Sequence, residues 1–126
     1  MRFMMIVKAN KDSEAGVLPT EEMLAAMAKY NEELVKAGIL LSAEGLQASA
    51  KGSRVRFTGD KRTVIDGPFT ETKELVASYA LLEVPTMAEA IRWTKRFLEV
   101  LGEGECEIRP LFDPADFGPP PQSPAA

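Results

Sequence analysis

Two amphipathic helices, each set between apolar strand segments, constrain the fold of this 126-residue chain most strongly. The first begins after Thr20, a suitable N-cap residue, and its apolar residues recur at helical spacing until Gly38, which predicts a left-handed cap. The second begins at the capping box formed by Thr86 and Glu89 and ends at Gly102. The fold must therefore bury one stripe of each helix against the strands.

Apolar segments of strand length surround these helices. The unbroken run from Phe3 to Val7 is typical of a strand in the middle of a sheet, covered on both sides. Further strands are predicted over residues 39–46, 76–84 and 105–111, with a hairpin over 54–58 and 63–65. Charged and apolar residues alternate in the hairpin, which predicts that Val55 and Phe57 point inward.

The order strand–helix–strand, hairpin, strand–helix–strand predicts an α+β fold, a ferredoxin-like sandwich with an inserted hairpin. Right-handed crossovers would place both helices on the same face of the sheet. The opposite face, carrying Phe3 or its neighbours, Val55, Phe57 and Tyr79, then needs cover. A second copy laid face to face would supply it, so we expect a homodimer that forms a dimeric α+β barrel.

Length and charge exclude several classes of protein. A chain of 126 residues fits one domain that needs no disulfide or metal to fold. The formal net charge of −4 and the pI of about 4.9 argue against nucleic acid as a partner. One basic stretch is interpreted as the solvated face of the hairpin, with acidic small molecules as an alternative partner. It contains Lys51, Arg54, Arg56, Lys61 and Arg62.

Location is indicated by what the sequence lacks. No segment approaches the roughly 18 apolar residues that a membrane span needs, and the first residues lack the pattern of a secretory leader. The single cysteine, Cys106, excludes an internal disulfide and suits a reducing compartment. We therefore expect a cytoplasmic protein without a membrane partner.

The chain contains no histidine, which removes many chemistries. Ser-His-Asp and Cys-His nucleophile systems and histidine-ligated metals are excluded. Acid–base work would fall to carboxylates, lysine, tyrosine or water. No spacing of Asp and Glu resembles a calcium loop, so neither a metal nor a cofactor is expected.

The turn Asp66-Gly67-Pro68-Phe69 follows the return strand of the hairpin. Gly67 is free to take backbone angles that other residues avoid, and Pro68 fixes one turn angle. Two interpretations of Asp66 remain open. It accepts backbone N–H bonds and only holds the turn, or the same rigid turn aims its carboxylate into a cavity.

The charged segment after the turn, Thr70 to Glu74, also has a structural and a functional interpretation. In one interpretation Thr70 caps a single helical turn and the charges of Glu71, Lys73 and Glu74 are solvated. In the other, Lys73 anchors an anion or pairs with a carboxylate, either Asp66 or Glu44.

The nine residues from Asp66 to Glu74 resemble the signature of the DGPF-type branch of the YCII-related proteins. Three further fragments fit: Phe3 to Val7, Glu44-Gly45-Leu46 and Glu107-Ile108-Arg109-Pro110. The resemblance covers residues 1–112 and leaves outside it the Pro-rich tail, 113–126. It implies a dimeric α+β barrel with a cleft near the dimer interface. YCII-like proteins typically offer a His-Asp pair there, so in this chain a carboxylate would have to do the work of the imidazole.

Carried over position by position, the resemblance implies Asp66 and Glu44 as catalytic carboxylates and Lys73, Glu74 and Arg109 as ligand-binding residues; the strand pattern adds Tyr79. Simpler interpretations stay open: Glu44 and Arg109 face solvent, and Tyr79 is a core or interface aromatic. Cys106 is interpreted as a small buried hydrophobe, and Trp93 as a helix-flank or interface residue.

Two classes of function fit these residues. The first is a domain that binds a small anionic metabolite near the dimer interface, with Asp66 or Glu44 as the general base of a lyase, isomerase or cofactor-free oxygenase. The second is a regulatory or interaction protein without chemistry. To this the resemblance adds an association with extracytoplasmic-function sigma factors. The tail is expected to pack against its own domain or a neighbouring subunit.

Overall fold

Residues 1–71 and 74–119, which the computed structural model describes, contain a four-stranded antiparallel sheet, two long helices and a separate hairpin. The elements are β1 (Arg2–Lys8), α1 (Lys11–Glu14), α2 (Glu21–Lys36), β2 (Leu40–Gly45), β3 (Ser53–Thr58), β4 (Lys61–Asp66), β5 (Val76–Glu83), α3 (Met87–Leu101) and β6 (Cys106–Pro110), with short 3-10 helices at Ser49–Lys51 and Pro114–Phe117. The main sheet has the order β2-β5-β1-β6, and β3 pairs with β4 in the second sheet. This arrangement confirms the predicted α+β ferredoxin-like sandwich with an inserted hairpin.

The ends of the long helices follow the predicted capping signals. The hydroxyl of Thr20 accepts a hydrogen bond from the backbone of Met23, and that of Thr86 accepts one from the backbone of Glu89. The carboxylate of Glu89 accepts from Arg92 and not from the backbone of Thr86, so the predicted capping box is only half formed. Gly102 ends α3 with a φ of 84°, a left-handed conformation that favours glycine.

A short helix, α1, lies between β1 and α2, where the sequence had predicted neither a helix nor a strand. Asn10 and Ser13 cap it reciprocally, because the side chain of each accepts a hydrogen bond from the other's backbone N–H. The spacing of these two residues was a signal for this helix in the sequence. Glu14 is the last residue of this helix.

The core lies between the main sheet and the two long helices, on one face of the sheet. Side chains alternate along β1, so Phe3, Met5 and Val7 are buried there. Leu34 of α2 and Leu82 of β5 are fully buried among them. The remaining buried members of this core are Tyr30, Ala80, Val84, Ala90, Trp93 and Phe97.

Aromatic side chains join the two helices. The hydroxyl of Tyr30 donates to the carbonyl of Trp93 at 2.8 Å, and the Tyr30 and Phe97 rings lie 5.6 Å apart. Burial raises the pKa of Tyr30 to about 12. The interpretation of Trp93 as a helix-flank residue was wrong, since it is only 8% exposed and belongs to the core. Cys106 packs against the core half-buried, and desolvation raises the pKa of its thiol to about 11.

On the opposite face of the main sheet, the side chains are only partly buried in a single chain. It carries Met4 and Ile6 of β1, which lie beside Leu81 and Tyr79 of β5. We call these four residues the open face. The prediction for this face was Phe3 or its neighbours, and the neighbours Met4 and Ile6 lie there, whereas Phe3 points to the helices. A strand's alternation shows that it has two faces without showing which one the helices cover.

The hairpin departs from its prediction. Val55 and Phe57 were expected to point inward, but their side chains are 66% and 68% exposed. The hairpin forms a sheet of its own, apart from the main sheet that packs on the helices. Alternation correctly indicated two strands and placed both residues on one face, but this face is left exposed in the described part of the chain.

The beginning of the tail contacts the first strand. Arg2 donates to the carbonyl of Phe112 at 3.1 Å and lies 3.9 Å from the carboxylate of Asp113. The rings of Phe112 and Phe117 lie 4.8 Å apart. These contacts agree with packing of residues 113–117 against their own domain, while residues 120–126 lie outside the described part. None of the helices in the described ranges is both long and apolar enough to cross a membrane.

Replacing Leu34 by alanine is expected to lower the free energy of unfolding by about 2–5 kcal/mol, because it leaves a cavity in the packed core. The matched control is Leu41→Ala, at a leucine that is 51% exposed in β2, where the loss should stay below about 1 kcal/mol. Urea denaturation measures both. Equal losses in the two variants would contradict the position of the core.

Candidate functional site

The turn after β4 is attached to the segment that precedes β3. The backbone N–H of Gly67 donates to the carbonyl of Gly52 at 3.0 Å, and that of Phe69 donates to the hydroxyl of Ser49 at 3.0 Å. A Cβ on Gly67 would lie 1.8 Å from the carbonyl oxygen of Ser49, so only glycine fits. The turn therefore requires Gly67 for its close backbone approach to Ser49.

Ser49 in turn is held by Glu14. Its backbone N–H and its hydroxyl donate to the two carboxylate oxygens of Glu14, at 3.0 and 2.5 Å. These hydrogen bonds favour the ionised carboxylate and lower the pKa of Glu14 below its usual value of 4.5. Glu14 thus remains an ionised acceptor that fixes Ser49, which makes it unsuited to hold a proton at neutral pH.

We call the connected set of Glu14, Ser49, Gly67 and Phe69 the Ser49 junction. Prediction from the sequence missed Glu14 and Ser49. They are 35 positions apart and belong to no periodic pattern. The capping pair of Asn10 and Ser13 was the one available signal, because it places a carboxylate at the end of α1.

A groove lies beside the Ser49 junction. The residues that line it include Gly45 and Leu46 at the end of β2, Gln47, Lys51 and Arg54. The guanidinium carbon of Arg54 lies 3.8 Å from the centre of the Phe69 ring, so the aromatic residue of the turn fixes the side chain of Arg54. Lys51 and Arg54 give this wall a positive charge. Glu14 is the carboxylate that lines the groove within the described ranges.

Asp66 has a place in the hairpin. Its carboxylate accepts a hydrogen bond from the hydroxyl of Ser53 at 2.7 Å, across the paired ends of β3 and β4. The residue is exposed, and it is not among the described residues that line the groove. This geometry agrees with the interpretation of Asp66 as a structural residue of the turn.

Glu44, Tyr79 and Arg109 lie on one face of the main sheet, with Glu44 and Arg109 on its two edge strands, β2 and β6. Glu44 pairs with Tyr79 across β2 and β5, and Tyr79 pairs with Ile6 on the open face. Arg109 lies in the neighbouring row, beside Met4, and its guanidinium is 3.3 Å from the carboxylate of Glu107. The sheet thus brings these three predicted residues to the face expected to meet a second subunit.

Asp66 and Glu44 are not brought to one pocket. Glu44 borders a cavity of about 170 Å³ between α2 and the sheet, whose lining is mainly apolar and does not include Asp66. Glu74 is exposed, and its backbone N–H donates to the carbonyl of Glu71. Lys73 lies outside the described residues, as does part of the single helical turn that was predicted to begin at Thr70. In the described ranges, no three potential metal-binding side chains form a cluster.

Comparison with known proteins assigns the family. The model of the YCII-related domain family matches residues 1–113, so this chain belongs to that family, as the resemblance had indicated. An uncharacterized protein of Rhizobium meliloti (strain 1021) is 26% identical over 92 residues, which are 72% of this chain and 74% of that protein.

One solved structure aligns over 89% of this chain and 94% of its own, with a TM-score of 0.48 and 15% identity. It is 5-chloro-2-hydroxyhydroquinone dehydrochlorinase (TftG) from Burkholderia phenoliruptrix AC1100, in complex with 2,5-dihydroxybenzoquinone.

Replacing Gly67 by alanine is expected to destabilise the protein by about 1–3 kcal/mol, because the new methyl group would overlap the backbone of Ser49. Gly45→Ala is the matched control, since nothing lies within 4 Å of the position of its Cβ. Urea denaturation compares the two variants. An undiminished stability in Gly67→Ala would show that the turn does not approach Ser49 this closely.

The pKa of Glu14 is expected to lie below 4.5 and to rise toward that value in Ser49→Ala, which removes one of the two hydrogen bonds. Because folding lowers this pKa, its contribution to stability is complete above pH 4.5 and is lost as the pH falls through the lowered value. An NMR titration of the Glu14 carboxyl carbon measures it. Ser42→Ala, an exposed serine of β2, is the control, and an unchanged Glu14 pKa in Ser49→Ala would contradict the junction.

Proposed function

We propose that this YCII-related protein is a homodimer that binds a small anionic molecule in the groove beside the Ser49 junction. The observation that carries the proposal is the positive wall formed by Lys51 and Arg54. Within residues 1–71 and 74–119, neither side chain has a carboxylate within 4.0 Å. The groove's described carboxylate, Glu14, is bound by Ser49.

The position of Arg54 supports an anion as the ligand. Its guanidinium is stacked on Phe69, which leaves the edge of the planar group, with its N–H donors, able to meet a carboxylate or phosphate. A side chain that is already fixed loses less conformational entropy when it binds. Lys51 and Arg54 are both exposed, so each contributes only modestly to the binding free energy of an anion. The proposed affinity depends on both side chains contacting the same anion.

The proposed homodimer would cover the open face. Met4, Ile6, Tyr79 and Leu81 are only partly buried in the single chain, and a second sheet packed over them would remove this apolar surface from water. Glu44 and Arg109 border the same face and would then lie close to the interface. The ligand groove begins at the end of β2, directly after Glu44.

A chemical step in this protein would fall to a carboxylate, because the chain has no histidine. Of the two predicted candidates, Asp66 already accepts a hydrogen bond from Ser53. Glu44 lies next to the groove-lining Gly45 and opposite Tyr79. We therefore favour Glu44 over Asp66 as the base of an acid–base reaction.

A second function, that of an interaction protein without chemistry, is favoured by one observation. Three large apolar side chains on one face of the hairpin are about two-thirds exposed, which is typical of a surface that meets another macromolecule. The sigma-factor association implied by the resemblance belongs to this alternative.

Calorimetric titration with phosphate, citrate and benzoate, and with neutral benzamide for comparison, tests the anion site. We expect an anion to bind and the neutral amide not to bind. Lys51→Gln and Arg54→Gln should each weaken binding roughly tenfold, because a charge-assisted hydrogen bond is lost. Lys95→Gln, at an exposed lysine of α3, is the matched control and should leave the affinity unchanged. Binding that is equal in all four proteins would contradict the site.

A further inference from the structure

We propose that the hairpin β3–β4 is an arm that docks on the body of a second copy of this chain, and that the Ser49 junction fixes the angle at which the arm leaves its own subunit. The inference rests on the proposed homodimer. It goes beyond the proposed homodimer by adding a second contact, separate from the open face, and by giving the geometry of the Asp66–Phe69 turn a role in assembly.

The arm has an apolar face that the helices and the main sheet of its own subunit leave exposed, although the guanidinium carbon of Arg62 lies 4.0 Å from the centre of the Phe57 ring. Val55 lies opposite Val64 in the pairing of the two strands, and Phe57 lies opposite Arg62. Val55, Phe57 and Val64 are 66%, 68% and 67% exposed. Isolated two-stranded hairpins are marginally stable in water, so a hairpin with this composition gains from a surface to pack against.

The charge of the arm indicates its partner. Residues 53–66 carry four basic residues, Arg54, Arg56, Lys61 and Arg62, and two acidic ones, Asp60 and Asp66, for a net charge of +2. The rest of the chain therefore carries −6, since the whole chain has −4. A second copy offers an acidic body to this basic arm, and complementary charge of this kind steers association and suppresses wrong partners.

The Ser49 junction makes the arm suitable for docking. Two hydrogen bonds close the base of the hairpin, because the N–H of Gly67 donates to the carbonyl of Gly52 and the hydroxyl of Ser53 donates to the carboxylate of Asp66. Phe69 is bonded to Ser49, which Glu14 connects to α1. An arm whose base is fixed in this way loses less conformational entropy on docking than a mobile hairpin would.

The same geometry joins the arm to the proposed ligand groove. Arg54 is the second residue of β3, and it also forms the wall of the groove through its contact with Phe69. A docked arm would bring a second subunit close to this wall. The groove would then lie near a dimer contact on the arm side as well as on the side of the open face.

Sedimentation equilibrium of the full chain at micromolar concentration, in low and moderate salt, tests the arm. We expect the wild type to be a dimer that weakens as the salt concentration rises. Val55→Glu and Val64→Glu should each raise the dimer dissociation constant at least tenfold. Val35→Glu is the matched control, because Val35 of α2 is a similarly exposed valine, at 61%, away from the arm.

Each outcome decides one part of the proposal. A dimer that is equally tight in the wild type and in both arm variants would overturn the arm while leaving the homodimer intact. A monomeric wild type would overturn both. Wild-type binding to vesicles of anionic lipid, lost in Val55→Glu while the dimer is unchanged, would assign the apolar face to a membrane surface and overturn docking on a second copy.

A second measurement covers the case in which a glutamate variant fails to fold. Hydrogen exchange of the wild-type hairpin amides is measured at concentrations below and above the dimer dissociation constant. We expect exchange of the β3 and β4 amides to slow as the dimer forms. Exchange rates in the hairpin that are independent of protein concentration, while those of β5 change, would overturn the arm.

Discussion

The contact of Ser49 with the turn at Gly67 is the interaction on which the rest of this structure depends. One residue joins three segments that are distant in sequence: its backbone and hydroxyl bind Glu14, its hydroxyl receives the amide of Phe69, and its carbonyl occupies the space that a Cβ on Gly67 would need. Without this junction, the hairpin would be connected to the body by the chain alone. With it, the direction of the hairpin and the shape of the neighbouring groove are determined together.

This constraint changes the interpretation of the Asp66-Gly67-Pro68-Phe69 turn. Gly67 serves a close backbone approach, Phe69 supports the guanidinium of Arg54, and Asp66 joins the two strands at the base of the hairpin. Each of these residues thus has a structural role in the turn. The positive charge of the proposed ligand groove comes from Lys51 and Arg54, which precede the turn in the sequence. In the account proposed here, Arg54 belongs both to the ligand groove and to the arm, so binding and assembly share one side chain.

The sequence was sufficient for the elements whose signals are local. Threonine caps and glycine ends placed both long helices, and the order of strands predicted the sandwich. It was insufficient where a long-range choice decides the outcome: the alternation in β1 could not show that Phe3, and not Met4, faces the helices, and the alternation in β3 could not show that Val55 is left uncovered. The pair of Glu14 and Ser49 depends on a tertiary contact that no periodicity reveals. The placement of Glu44, Tyr79 and Arg109 on one face required the register of four strands.

Hydrogen exchange at the backbone amide of Phe69 tests the Ser49 junction most directly, because this amide donates to the Ser49 hydroxyl in a segment outside the main sheet. The account predicts that the amide is protected in the wild type and loses its protection in Ser49→Ala, while the amides of β5 retain theirs. An amide of Phe69 that exchanges at the rate of an unfolded chain in the wild type, or one that is equally protected in Ser49→Ala, would contradict the account.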